Sequence, residues 1–256
     1  MCTASIIPLQ SGGFRVVINR DELRSRPNAL RPTALELENG VRAAWPTDAQ
    51  AGGTWVAASD RGLVLTLLNG NPTPFPQLPP EEELVSRGLI VPSLIGSESA
   101  EQAATRISRL DLLHYAPFRF VAADSRVIAD AVWDRSRLRV TRRAMRATCF
   151  VSSGLGDAQA GPRLGLFRRF MARQGASAAA QDSFHAHRWA DRPEISVMMS
   201  RAEARTISVT AVEVSGVDGV VTMNYRDDAG ESVVNLSGAA TMDTLRAEWA
   251  RGRVQC

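Results

Sequence analysis

Cys2 directly follows the initiator in this 256-residue chain, and no other residue offers as much chemistry. Removal of Met1 ahead of a small residue would make Cys2 the first residue, carrying a thiol and a free α-amine together. An α-amine titrates near ~7.7–8.0, so it can take the thiol proton directly or through a water. Such a centre needs neither histidine nor lysine. It needs a strand to hold the terminus, an arginine to favour thiolate, and amide or backbone donors for an oxyanion. The competing reading is an ordinary cysteine.

Other chemistry has little to work with. All 30 basic residues are arginine. Schiff-base chemistry, a pyridoxal-phosphate anchor and a lysine-dependent phosphate loop are therefore excluded. Of the three histidines, His185 and His187 have strand spacing and could share a face as metal ligands. No Cys, Asp or Glu cluster completes such a site, so surface or satisfied loop histidines are the simpler reading. His114 falls near an expected helix C-terminus, where a cation is favourable. No GxSxG, HExxH or glycine-rich phosphate motif is present. The sequence calls for no metal and no cofactor.

Six arginines, Arg135, Arg137, Arg139, Arg142, Arg143 and Arg146, fall within twelve residues. Arg137 and Arg139 alternate with Leu138 and Val140 as on a solvated strand face. An anion site and a nucleic-acid surface are the alternatives. Stacking aromatics are absent apart from Trp133, and a formal charge of +3 is small for this length, so no nucleic acid is expected. Cys2, Cys149 and Cys256 are odd in number and lack metal spacing, which suits a reduced, cytoplasmic chain. No apolar run approaches the ~20 residues that cross a bilayer. The start MCTASIIPLQ lacks the basic and apolar regions of a secretory signal.

The elements that must hold Cys2 come next. An apolar stretch over residues 4–9, a turn over 10–13 and a β-branched stretch over 14–18 read as a hairpin. Residues 19–32 are charged and broken by proline, and read as a loop with one short turn. Strands are expected at 54–59 and 63–68 around the turn Asp60-Arg61-Gly62. Five prolines from Pro72 to Pro80 then make a stiff surface loop. The spacing predicts a helix over 99–114, with Ser99 and Gln102 at capping-box positions. Strands at 118–122, 127–133 and 137–140 follow, then a helix over 162–173, strands at 206–214 and 217–225, and a helix near 242–251. Strand pairs with isolated helices and no βαβ alternation indicate an α+β layered domain of antiparallel sheets. With no repeat and no composition break, residues 1–256 read as one domain.

Several motifs then occur in order. They are Met1-Cys2, Asn19-Arg20-Asp21-Glu22, Arg26-Pro27, Gly52-Gly53-Thr54-Trp55, Leu68-Asn69-Gly70, Ser86-Arg87-Gly88, Ser152-Ser153-Gly154 and Ala204-Arg205-Thr206-Ile207-Ser208. Together they resemble the NRDE family, also called the transport and Golgi organisation 2 family, over nearly the whole chain. That family resembles N-terminal nucleophile hydrolases, which implies a four-layer αββα sandwich and an amino-terminal cysteine. The resemblance implies hydrolysis of C–N amide bonds or acyl transfer on a small amide or thioester. Carried over, Cys2 is nucleophile with its own amine as base. Arg20 and Asp21 orient that amine and thiol, although the choloylglycine hydrolase-like branch spaces these two further apart and Glu22 could substitute. Asn69 is placed to donate to an oxyanion. Asn19, Glu22, Arg26, Arg87, Ser153 and Arg205 are candidate substrate contacts. Ser153 stands where related enzymes often use asparagine. The alternative implied by the resemblance is a non-catalytic protein that carries haem or a lipid such as acyl-coenzyme A in the same pocket. The oligomeric state is not legible.

Overall fold

The computed structural model describes residues 2–236. Two antiparallel sheets stack face to face with helices outside both, so the expected αββα layering is what the chain forms. The first sheet runs β10 (Thr148–Val151), β1 (Cys2–Pro8), β2 (Gly13–Leu23), β11 (Ala204–Ser215), β12 (Val221–Asp227) and β13 (Gly230–Leu236). The second runs β3 (Leu30–Glu36), β4 (Arg42–Thr47), β5 (Val56–Ser59), β6 (Val64–Asn69), β7 (Phe118–Ala123), β8 (Val127–Trp133) and β9 (Leu138–Ala144). Helices α1 (Ile90–Leu94) and α2 (Ala100–Ile107) cover the second sheet, while α3 (Gly161–Gln174) and α4 (Ala178–His185) cover the first.

Strand alternation sorts the core into three layers. Cys2, Ala4, Ile6, Val16 and Ile18 face inward and meet Val56, Val64, Leu68 and Ile128 of the opposite sheet. On the outer side of β1, Ile7 packs with Leu166, Phe167 and Phe184 of α3 and α4. Leu65, Phe120 and Ala129 do the same beneath α1 and α2.

The structure corrects several expectations. Residues 19–32 are not one loop: β2 runs on to Leu23, and β3 begins at Leu30. Of the charged residues that suggest a loop, Arg20 and Asp21 are buried in the sheet, each with a charged partner distant in sequence, a condition invisible in one sequence window. The helix predicted over 99–114 ends at Ile107. Ser99 caps it by accepting from the Gln102 amide, whereas Gln102 reaches back to Glu98. Tight turns at Arg109 and Leu110 stop it, and Leu113 is left 61% exposed. The strand predicted over 217–225 starts only at Val221, and Val217 is 83% exposed in the turn before it. β3, β4, β10, β13, α1 and α4 have no counterpart among the expected elements. The helix near 242–251 lies outside the described residues. Among the described residues no helix is long and apolar enough to cross a membrane.

Candidate active site

Two strands bring the first chemistry together. β1 and β2 pair so that Cys2 lies opposite Arg20, and both sit on the inward face. On the other side of β2, the pairing with β11 shifts between Thr206 and Ser208. Such a bulge beside a site re-aims the neighbouring side chains. Cys2 is 5% exposed and lines a cavity of about 530 Å³ with Arg20, Asp21, Glu22, Arg26, Asp48, Trp55, Asn69 and Arg87. The Cys2 backbone nitrogen donates to Ser152 Oγ at 3.1 Å, and the Cys2 carbonyl accepts from the Ser152 amide at 2.9 Å. Burial pushes the Cys2 thiol up, and the nearby Arg20 charge only partly offsets it. A neutral thiol of this kind needs a base to become a nucleophile.

Arg20 is held on three sides. Its Nη2 donates to Asp48 Oδ2 at 2.5 Å and lies 3.5 Å from Glu22 Oε2. The guanidinium carbon lies 4.3 Å from the centre of the Trp55 ring. Asp48 also binds Arg26 through two bonds of 3.0 and 3.1 Å, and its Oδ1 accepts from the Gln50 and Ala51 amides. Burial acts to raise this carboxyl, but the Arg26 and Ala51 bonds and the two guanidinium charges outweigh it and hold it low.

Asp21 is 1% exposed and borders the cavity. Thr206 Oγ1 donates to its Oδ1 at 2.6 Å, and Arg163 Nη1 to its Oδ2 at 3.3 Å. Arg163 itself is 1% exposed and also donates to Thr3 Oγ1 and the Ile195 carbonyl. Burial raises the Asp21 carboxyl more than Arg163 and Thr206 lower it.

The glycine motifs assemble the rest. Gly52 has φ +68°, the left-handed region that favours glycine. A Cβ on Gly53 would lie 2.5 Å from the Gly88 carbonyl carbon, and the Thr54 amide donates to the Gly88 carbonyl at 2.9 Å. GGTW and SRG are thus two halves of one close contact. The Pro117 carbonyl accepts from both the Gly70 amide at 2.9 Å and Arg87 Nη1 at 2.8 Å, tying Asn69-Gly70 to Arg87 across the cavity wall.

The fold brings together Cys2, Arg20, Asp21, Glu22, Arg26, Asn69 and Arg87. It does not bring Asn19, Ser153 or Arg205 into the cavity lining. Asn19 is one residue from Arg20, so strand alternation turns it to the opposite face. There its amide donates to the His185 and Val197 carbonyls and its Oδ1 meets His185 Nδ1. Ser153 Oγ accepts from the Leu155 amide and Arg201, while its neighbour Ser152 holds Cys2. Arg205 pairs with Asp228 at the surface. His185 and His187 do not share a strand face: His185 ends α4, buried between Ser5 and Asn19, and burial lowers its pKa to about 3. Among the described residues no His, Cys, Asp and Glu cluster could hold a metal.

Sequence reasoning missed Asp48, Ser152, Trp55 as the platform for Arg20, and Arg163. Ser152 and Trp55 stood inside quoted motifs, so their signal was present. Asp48 precedes the Gly52-Gly53 turn without a motif of its own. Arg163 is one arginine among 30 and carries no local signal.

Comparison with known proteins supplies further findings. The model of the family described as Transport and Golgi organisation 2 matches residues 1–158. No curated protein matches the sequence. Among solved structures, the chain is similar to the Caenorhabditis elegans N-acylethanolamine-hydrolyzing acid amidase ortholog, with 11% identity, TM-score 0.53, and coverage of 85% of this chain and 95% of that one. A variant of conjugated bile acid hydrolase from Clostridium perfringens gives 9% identity, TM-score 0.56, and 92% coverage of both chains. Penicillin V acylase from Agrobacterium tumefaciens gives 10% identity, TM-score 0.51, and coverage of 93% and 86%. At these identities the likeness is one of fold, two stacked antiparallel sheets between helical layers.

Proposed function

The chain belongs to the transport and Golgi organisation 2 family, and from that membership and the cavity around Cys2 we propose that it is an N-terminal-cysteine amidohydrolase or acyltransferase acting on a small amide or thioester. The observation that carries the reading is the placement of Cys2. Cys2 lines the cavity, and the nitrogen that becomes the α-amine once Met1 is removed is held by Ser152. The similar folds named as amidase, bile acid hydrolase and acylase support the same class.

The proposed sequence follows from the groups present. The α-amine of Cys2 takes the thiol proton, and Sγ attacks the substrate carbonyl carbon. Arg20 favours the thiolate, and Asp21 orients the resulting ammonium. Asn69 at the end of β6 donates to the oxyanion of the tetrahedral intermediate. Collapse breaks the C–N or C–S bond, the ammonium returns its proton to the leaving group, and an acyl-thioester remains on Cys2. Water or a second amine then takes the acyl group, with the α-amine again as base.

The test is turnover of a panel of N-acyl amides and acyl thioesters, paired with intact-mass measurement. Release of free acid by protein lacking Met1, and none by Cys2→Ala, is expected. Turnover by protein that retains Met1 would contradict the mechanism, because the base would be blocked.

A further inference from the structure

We propose that the free edge of β9 docks an extended peptide alternating acidic and apolar residues, which adds to the second sheet as an eighth strand. The proposal stands apart from the chemistry of Cys2 and needs no turnover there.

The second sheet has two edges, β3 and β9. β3 is broken by Pro32 and by a register shift between Leu30 and Thr33, so it offers no continuous ladder. β9 pairs in register with β8 over all seven of its residues, from Leu138 opposite Trp133 to Ala144 opposite Val127, and contains no proline. Its other side has no strand partner among the described residues. Such an edge presents a row of unpaired N–H and C=O groups, which a second extended chain satisfies.

The side chains set what that chain must carry. Strand alternation puts Arg139, Thr141 and Arg143 on the face toward the first sheet, where the Arg143 guanidinium carbon lies 5.8 Å from the centre of the Phe150 ring. Leu138 and Val140 lie on the other face, partly buried against the core beneath α1 and α2, and Arg142 shares that face.

Carboxylates are few here. Asp130 is shared by Arg119 at 3.1 Å and Arg143 at 3.3 Å, and Asp134 pairs with Arg139 at 2.6 Å. Among the described residues Arg137, Arg142 and Arg146 have no carboxylate within ion-pair distance. Six guanidinium groups thus meet two carboxylates, and the partly exposed Arg139 pair contributes little. This excess excludes a second copy of the chain, whose β9 would set arginine against arginine.

Other anionic surfaces fit worse. A flat membrane meets one face of the strand at a time, whereas the arginines project from both. A nucleic acid stacks on exposed rings, but Phe150 and Trp133, the rings beside β9, are 3% and 7% exposed. A strand with carboxylates at alternate positions sets them opposite Arg139 and Arg143 and lays the residues between them on Leu138 and Val140.

Fluorescence anisotropy with a capped, labelled heptapeptide alternating glutamate and valine tests this. Saturable binding is expected at physiological ionic strength. Two N-methylated counterparts, one blocking the glutamate nitrogens and one the valine nitrogens, distinguish ladder pairing from charge alone. In a β-strand these two sets point to opposite edges, so one counterpart should bind roughly tenfold or more weakly and the other should be retained. Arg139→Glu should weaken the parent peptide by a similar factor, as should Arg137→Glu, which lies outside the strand. No saturable binding, full retention by both counterparts, or full retention by both variants overturns the proposal. Tighter binding of oligothymidylate or phosphatidylserine vesicles than of the peptide also overturns it.

Discussion

Asp48 organises the charged side of the site without standing in any motif. It accepts from Arg20 and Arg26 and from two backbone amides, so one buried carboxylate fixes both guanidinium groups and the turn before Gly52. Removing one partner of a buried pair leaves the other uncompensated. Asp48→Asn is therefore expected to destabilise the fold by about 3 kcal/mol in chemical denaturation, the lower end for a broken buried pair. In a double-mutant cycle with Arg20→Gln, the cost of losing Asp48 should shrink. At this scale the sequence was legible only where a residue's type was itself unusual. Cys2 stood out by position, and Arg20 and Asn69 by motif. Asn19 belongs to the same four-letter motif as Arg20, yet strand period places it on the opposite face. Arg163 reaches Asp21 across 142 residues, a pairing no local window holds.

Elements decide whether those side chains meet. The interlock of residues 52–54 with 86–88 predicts two different outcomes for neighbouring glycines. An alanine at Gly53 would put Cβ into the Gly88 backbone, whereas one at Gly52 meets nothing within 4 Å and suffers only its positive φ. Gly53→Ala should cost about 1–3 kcal/mol, typical of overpacking, and displace Arg87 from the cavity. Gly52→Ala should cost about 1 kcal/mol and leave Arg87 in place. Thermal unfolding and a crystal structure of each variant separate the two. The tight turns and the alternating strands at 64–69 and 127–133 were readable from local pattern. β2 beyond Ile18 was not, because its buried charges are paid for by partners on β4's turn, on α3 and on β11, all distant in sequence. The early stop of α2 was hidden because the apolar spacing continues past Ile107 while the backbone does not.

Over the whole molecule, the first sheet and its helical layer are joined by a polar network in an apolar setting. His185 of α4 meets Ser5 of β1 and Asn19 of β2, each at 2.7 Å, and is buried in the neutral form. Burial first, then the Arg15 and Arg163 charges, lower its pKa to about 3. An unfolded chain takes up this proton near ~6.5, and the folded chain refuses it until about pH 3. The stability it contributes is fully present above pH ~6.5 and is lost as pH falls below that value. The total loss is on the order of 4 kcal/mol by pH 3. Denaturation at a series of pH values should show this slope, and His185→Gln should flatten it. The αββα architecture was legible as a whole through the ordered motifs. Local periodicity gave only antiparallel pairs, because strand order is set by contacts between distant segments such as β2 with β11.

If Cys2 is an acyl-accepting nucleophile, its acyl-enzyme can be trapped. The protein would be mixed with an octanoyl thioester, quenched in acid within a turnover, and mapped by peptide mass. One octanoyl group is expected on the amino-terminal peptide, attached at Cys2, released by hydroxylamine and absent from Cys2→Ala. No adduct, or an adduct on Cys149 that survives in Cys2→Ala, would contradict it.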